Sequence, residues 1–254
     1  MLGRWVDLPA ATIVLGRTGF AAACLLLLAL LKRQWLRPSR RLVVNGIVLA
    51  VHWLTFFQAI RMSSVAIGLL GYASFPLFVL LLEQGIDHAR FTRKRVAVAA
   101  LVVIGLALLA PVASVEATFA EGLSWGIASG FTFALLAVRN RRFMTSDGAV
   151  RMAFWQILVA GLSVAPLALV RSVPLGARDL VLLAILGLAC TALAHTLFVW
   201  TLRSLSAHTA STIAALEPVY GIGLALALLN EVPSMQTVLG GTLIVAGAML
   251  ASSE

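Results

Sequence analysis

A carboxylate inside an apolar stretch of chain is rare, because its charge at the centre of a bilayer costs about 2.5–3.5 kcal/mol on insertion scales; such a residue is paired or functional. Glu217 is one: it precedes Pro218 in the run 207–229, which holds no other Asp, Glu, Lys or Arg. At about 1.5 Å per residue, it lies near the middle of that run and so near mid-membrane. There it suits a substrate amine or a coupling proton; the plainer reading has it bonding backbone freed by Pro218. Arg17 lies about eight residues into the first apolar run, at similar depth, which suits a substrate carboxylate, a pair with Glu217, or a packed and snorkelling side chain. His52 and His195 also fall inside apolar runs, where imidazole relays protons or bonds a substrate, or sits satisfied in a core. Gln156 offers an amide to substrate or to a neighbouring helix. Pro76 and Pro218 each delete a backbone donor in mid-run and so kink their helices.

Other chemistry is poorly served. There is no HExxH, no pair of intramembrane aspartates, and Gly126-Ile127-Ala128-Ser129-Gly130 lacks the spacing of a nucleophile elbow, so an intramembrane enzyme is not expected. Cys24 and Cys190 both lie in apolar stretches without disulfide or zinc spacing, and no cofactor or metal is expected. The formal charge is +9, yet no basic run is interleaved with exposed aromatics as a nucleic-acid surface requires.

The elements that must position these residues follow from composition. A chain of 254 residues that is 61% hydrophobic and 11% charged cannot clothe a soluble core with polar surface. Apolar runs near 9–31, 42–60, 64–83, 96–112, 121–138, 150–170, 179–202, 207–229 and 235–252 are long enough to span, and backbone groups in lipid must be satisfied internally. An all-α membrane protein of about nine transmembrane helices is expected. No signal peptide precedes the first run. Fourteen of the nineteen Lys and Arg residues lie in the segments 32–41, 90–95 and 139–151 and at Arg203, which alternate to one side. The positive-inside rule makes that side cytoplasmic, with Glu254 inside.

The chain repeats itself. Shifted by 142 positions, 61–110 lies over 203–252 without a gap, pairing Ala73 with Ala215, Pro76 with Pro218, Phe78 with Tyr220 and Gly105 with Gly247. A shift of 139 places Arg17 over Gln156. The basic turn 90–95 matches 232–237, which has no Lys or Arg, so the two halves face opposite ways. An inverted-repeat helical bundle is expected, with 1–112 as a first repeat of four helices and 113–254 as a second of five. Gly126 and Gly130 form a GxxxG for close helix packing, within a subunit or across a homodimer.

Leu216-Glu217-Pro218-Val219-Tyr220 with Glu231 thirteen residues after the proline, Ala194-His195-Thr196-Leu197-Phe198 running into Leu202-Arg203, and Gly240-Gly241-Thr242 leading to Gly247 together resemble the EamA branch of the drug/metabolite transporter superfamily. The resemblance implies ten helices in two inverted five-helix repeats and a secondary transporter, an exporter of amino acids or related metabolites across the inner membrane. The family's first helix would precede Met1, its repeat partner being Glu121 to Val138. Residues 1–8, with Arg4 and Asp7, resemble the external loop after it. The partners implied are a small-molecule substrate and the lipid bilayer. A truncated, non-transporting scaffold or subunit is the alternative that the absent helix raises.

Overall fold

The structure, a computed structural model, describes residues 8–33, 37–63, 65–88, 92–109, 117–170, 173–217, 219–220, 223, 226 and 234–252. Arg4, Asp7, Pro218 and Glu231 lie outside the described residues. The helices are α1 (Ala10–Leu31), α2 (Arg40–Met62), α3 (Val65–Tyr72), α4 (Phe75–Asp87), α5 (Arg93–Leu109), α6 (Ala117–Asp147), α7 (Ala149–Val170), α8 (Ala177–Gly187), a π-helical segment Leu188–Leu193, α9 (Ala194–Thr201), α10 (Ala207–Ala214) and α11 (Met235–Ser252). No strand occurs among the described residues.

Small polar residues start these helices. The hydroxyls of Thr92, Ser206 and Ser234 accept from the backbone N–H of Arg95, Thr209 and Thr237, as N-caps do. Thr92 and Ser234 stand one repeat interval apart, so α5 and α11 begin alike. Gly148, at φ +74°, makes the left-handed turn between α6 and α7 that a side chain would resist.

Six helices among the described residues are long and apolar enough to cross a bilayer, counting Ile67–Ile86 as one across its turn, and Met235–Ala251 is a shorter apolar helix. Leu31, Leu169 and Val170 are 70–86% exposed, which lipid tolerates and water does not. The protein is a multi-span helical membrane protein.

The chain forms two compact units, residues 1–54 with 139–204 and residues 55–138 with 205–254, each drawing helices from both halves of the sequence. In the first, α1 packs on α7, its repeat mate, and on α8. Small residues set those distances: a Cβ on Gly187 would fall 2.7 Å from the Arg17 carbonyl oxygen.

In the second unit α5 packs on α11, also its mate. A Cβ on Gly105 would meet Gly240 and Ile244, while one on Gly247 would meet Val98, Leu101 and Val102. Gly240, Ile244 and Gly247 are Val98, Val102 and Gly105 advanced by 142, so the two helices exchange the same contacts. The pairing of higher with lower numbers makes them antiparallel. Swapped contacts between antiparallel mates are what a two-fold axis across the helices produces, and they give the inverted repeat a direct structural form.

The expected span 64–83 is broken in two, and α6 runs nine residues past Val138, to Asp147. The first change follows from Pro76, the second from the polar residues 139–147, which break no backbone bond even though they end the apolar pattern.

Candidate functional site

The break between α3 and α4 is written into four residues. Pro76 has no N–H to give to Tyr72, so α3 ends there and Pro76 enters the first turn of α4, where a missing donor costs nothing. In the turn, Ala73 N–H donates to Leu69 O, Ser74 to Gly71, and Leu77 and Phe78 both to Ser74. The second half repeats each bond 142 residues on: Ala215 to Ser211, Leu216 to Ile213, and Val219 and Tyr220 both to Leu216. Helix α10 therefore ends at Ala214 as α3 ends at Tyr72, and Glu217 stands directly after the second break.

Glu217 is exposed and belongs to the same unit as Tyr72, the last residue of α3. Tyr72 stacks on Phe75 at 4.9 Å between centroids and meets Phe56 and Phe133 edge-on at 5.5 Å each. Gly126 and Gly130 let α6 approach this break: a Cβ on Gly126 would lie 2.9 Å from Gly71 Cα, and one on Gly130 would lie 2.7 Å from the Tyr72 carbonyl oxygen. The GxxxG face is thus occupied within the chain. Near the C-terminal end of α4 Glu83, 7% exposed, accepts from Arg95 Nη1 at 3.1 Å and from His208 N–H at 3.3 Å, placing a carboxylate at the N-terminus of α10.

The first unit holds the other candidates. Arg17 is buried on α1, and its Nε donates to Thr191 Oγ1 at 2.7 Å and its Nη2 to Cys190 O at 3.1 Å. Both acceptors belong to the π-helical segment, where the wider turn disturbs the regular carbonyl pairing. Thr191 Oγ1 in turn donates to Leu186 O at 2.7 Å, so side chains satisfy one carbonyl before the π-helical segment and one within it. The Arg17 guanidinium also lies 4.6 Å from the centroid of Trp53, whose other neighbour is His195, edge-on at 6.3 Å.

From His195 a buried ladder of amides leads away. His195 Nε2 meets Gln156 Oε1 at 3.0 Å; Gln156 Nε2 donates to Asn140 Oδ1 at 2.7 Å; Asn45 Nδ2 donates to the same oxygen at 2.8 Å; and Arg139 Nε donates to Asn45 Oδ1 at 2.6 Å. Asn45, Asn140 and Gln156 have no solvent exposure. Unpaired polar groups would be costly here, so the ladder fixes one arrangement of α2, α6, α7 and α9.

Of the residues singled out from sequence, Arg17, Gln156 and His195 are brought together in the first unit, and His52, next to Trp53, is buried there too. Glu217 belongs to the second unit. Sequence reading missed Asn45, Asn140 and Thr191. Asn140 stands among Arg139, Arg141 and Arg142, a pattern that reads as a basic loop, and Thr191 matters only because of a π turn that hydropathy does not register. Among the described residues no group of three or more His, Cys, Asp or Glu is placed to hold a metal ion.

Paired helix breaks and antiparallel repeat mates in an apolar helical chain make this an inverted-repeat membrane bundle, the architecture of many secondary transporters. Sequence comparison agrees: the chain matches the EamA-like transporter family over residues 1–110 and 120–253, and it belongs to that family. It is 26% identical over 220 residues to an "Uncharacterized transporter" of Archaeoglobus fulgidus, covering 86% of this chain and 78% of that protein. A solved structure titled "Crystal structure of protein", 20% identical in sequence, shares the fold with a TM-score of 0.83 over 97% of this chain and 88% of its own.

Proposed function

We propose that this protein is a secondary transporter that exports amino acids or related small metabolites across the inner membrane by alternating access. In the second unit Glu217 binds the substrate amine or the coupling proton, and in the first unit Arg17, His52, Gln156 and His195 are the candidate polar groups for substrate, each unit taken by itself. The observation that carries the reading is the duplicated helix break with Glu217 beside it. Discontinuous helices are where carriers of this architecture turn backbone groups toward a substrate. A carboxylate exposed at mid-membrane depth needs water or a cation next to it, which a substrate path provides and lipid does not. Substrate class and export follow the family resemblance. The cytoplasmic C-terminus follows the basic loops. The sequence repeats 1–112 and 113–254 act as the two halves of the carrier, and a homodimer would use a face other than Gly126 and Gly130.

The test is uptake of radiolabelled amino acids into everted membrane vesicles holding an imposed pH gradient. Wild-type protein accumulates at least one amino acid in response to the gradient, and Glu217→Gln abolishes that response while leaving protein abundance unchanged. Gradient-driven accumulation by Glu217→Gln at the wild-type rate refutes the coupling role. A wild-type protein that moves none of the panel, in either direction or by exchange, favours the scaffold instead.

A further inference from the structure

The rim of the first unit carries an unbalanced charge. Residues 32–41 and 139–151 together hold nine Lys and Arg against one acid, Asp147. Two of these cations are brought to one aromatic ring: the guanidinium carbon of Arg41 lies 4.8 Å from the Phe143 ring centroid and that of Arg139 lies 5.8 Å from it. They are therefore within about 11 Å of each other. Leaving aside Asp147, whose side chain lies outside what the structure describes, no carboxylate among the described residues pairs with either one, whereas Arg95 in the second unit has Glu83 at 3.1 Å. Arg139 is aimed rather than loose, because its Nε is committed to Asn45 Oδ1 at 2.6 Å. Arg41 stands in the first turn of α2, exposed, where an apolar span meets its basic flank.

Two like charges this close repel, and an anion bonded to both offsets the repulsion. A phosphodiester has the reach to bond both groups at that separation. Its two free oxygens are about 2.5 Å apart, and each takes a charge-assisted N–H bond of about 2.8 Å, so one group reaches both guanidinium groups from a phosphate between them. At the edge of a membrane span the diester on hand is that of an anionic lipid, which basic rims attract.

We propose that Arg41 and Arg139, both lying against Phe143, form a headgroup site for an anionic phospholipid. This site stands on the first unit alone and does not depend on the role given to Glu217. It differs from diffuse attraction to a basic rim, since the ring and the pair of guanidinium groups, not the total charge, define it.

The experiment is native mass spectrometry of the full chain released from detergent with equal amounts of phosphatidylglycerol and phosphatidylcholine. Wild-type protein retains phosphatidylglycerol about tenfold over phosphatidylcholine. Arg41→Gln removes that preference, Arg41→Lys keeps it within about threefold, and Phe143→Leu lowers it severalfold with every charge intact. Arg40→Gln, the same charge change one residue away, leaves it unchanged. Equal loss in Arg40→Gln and Arg41→Gln overturns the proposal in favour of diffuse attraction, and equal retention of the two lipids overturns it outright. Displacement of the lipid by millimolar inorganic phosphate overturns the lipid as occupant. Should Arg41→Gln fail to fold, Arg41→Lys and Phe143→Leu against Arg40→Gln carry the same decision.

Discussion

Gly71 and Gly19 look alike in the sequence, each a glycine in an apolar helix, yet alanine in their places has opposite consequences. A Cβ on Gly71 would lie 2.7 Å from Gly126 Cα and 2.7 Å from Leu123 O. Both are backbone atoms of α6 and cannot swing aside, so α3 and α6 must part by about 1 Å to restore ordinary contact. A Cβ on Gly19 would meet nothing within 4 Å. The gain from replacing a helical glycine, roughly 0.5–1 kcal/mol, is common to both sites. The difference between Gly71→Ala and Gly19→Ala therefore isolates the steric cost of parting the helices, about 1–3 kcal/mol. Reversible unfolding of the purified variants in mixed micelles measures it, with Gly19→Ala at or above wild-type stability and Gly71→Ala below. Adding Gly126→Ala to Gly71→Ala should cost less than Gly126→Ala alone, since the first substitution has already opened the contact. Equal stability of Gly71→Ala and Gly19→Ala, within about 0.5 kcal/mol, would refute the backbone-to-backbone packing at the break.

Two further substitutions probe the first unit. Gln156→Leu strips partners from His195 and from the Asn140 amide in a site closed to solvent and should destabilise by about 2–4 kcal/mol, read by the same unfolding assay. Thr191→Val keeps the shape but removes the acceptor of Arg17 Nε and the donor to Leu186 O; a loss of about 1–3 kcal/mol is expected, with Thr191→Ser near wild type.

The spans were legible because lipid imposes one crude demand, about twenty apolar residues that satisfy their own backbone. The repeat was legible because the residues that shape backbone, Pro76 and Pro218, Gly105 and Gly247, keep their places while the leucines and valines around them drift. Their partners were harder to see. Asn140 was hidden by its neighbours, since Arg139, Arg141 and Arg142 read as a loop to any measure of hydropathy, although the helix runs on through them. Thr191 was hidden for another reason: one surplus residue in a helix leaves the apolar pattern almost intact while redirecting the carbonyls that Arg17 meets. Ladders such as Asn45–Asn140–Gln156–His195 bond residues up to 95 positions apart, and only tertiary geometry brings such pairs together.

The reciprocal seating of Gly105 on α11 and Gly247 on α5 has a bearing on descent. A surface that meets its own copy through a two-fold axis is how two identical half-length chains would associate, and in such a pair every substitution lands on both sides at once. Joining the copies into one polypeptide releases each side from the other. The charge of the two matching turns differs accordingly: 90–95 holds four Lys and Arg and 232–237 holds none, a difference that two identical chains could not carry.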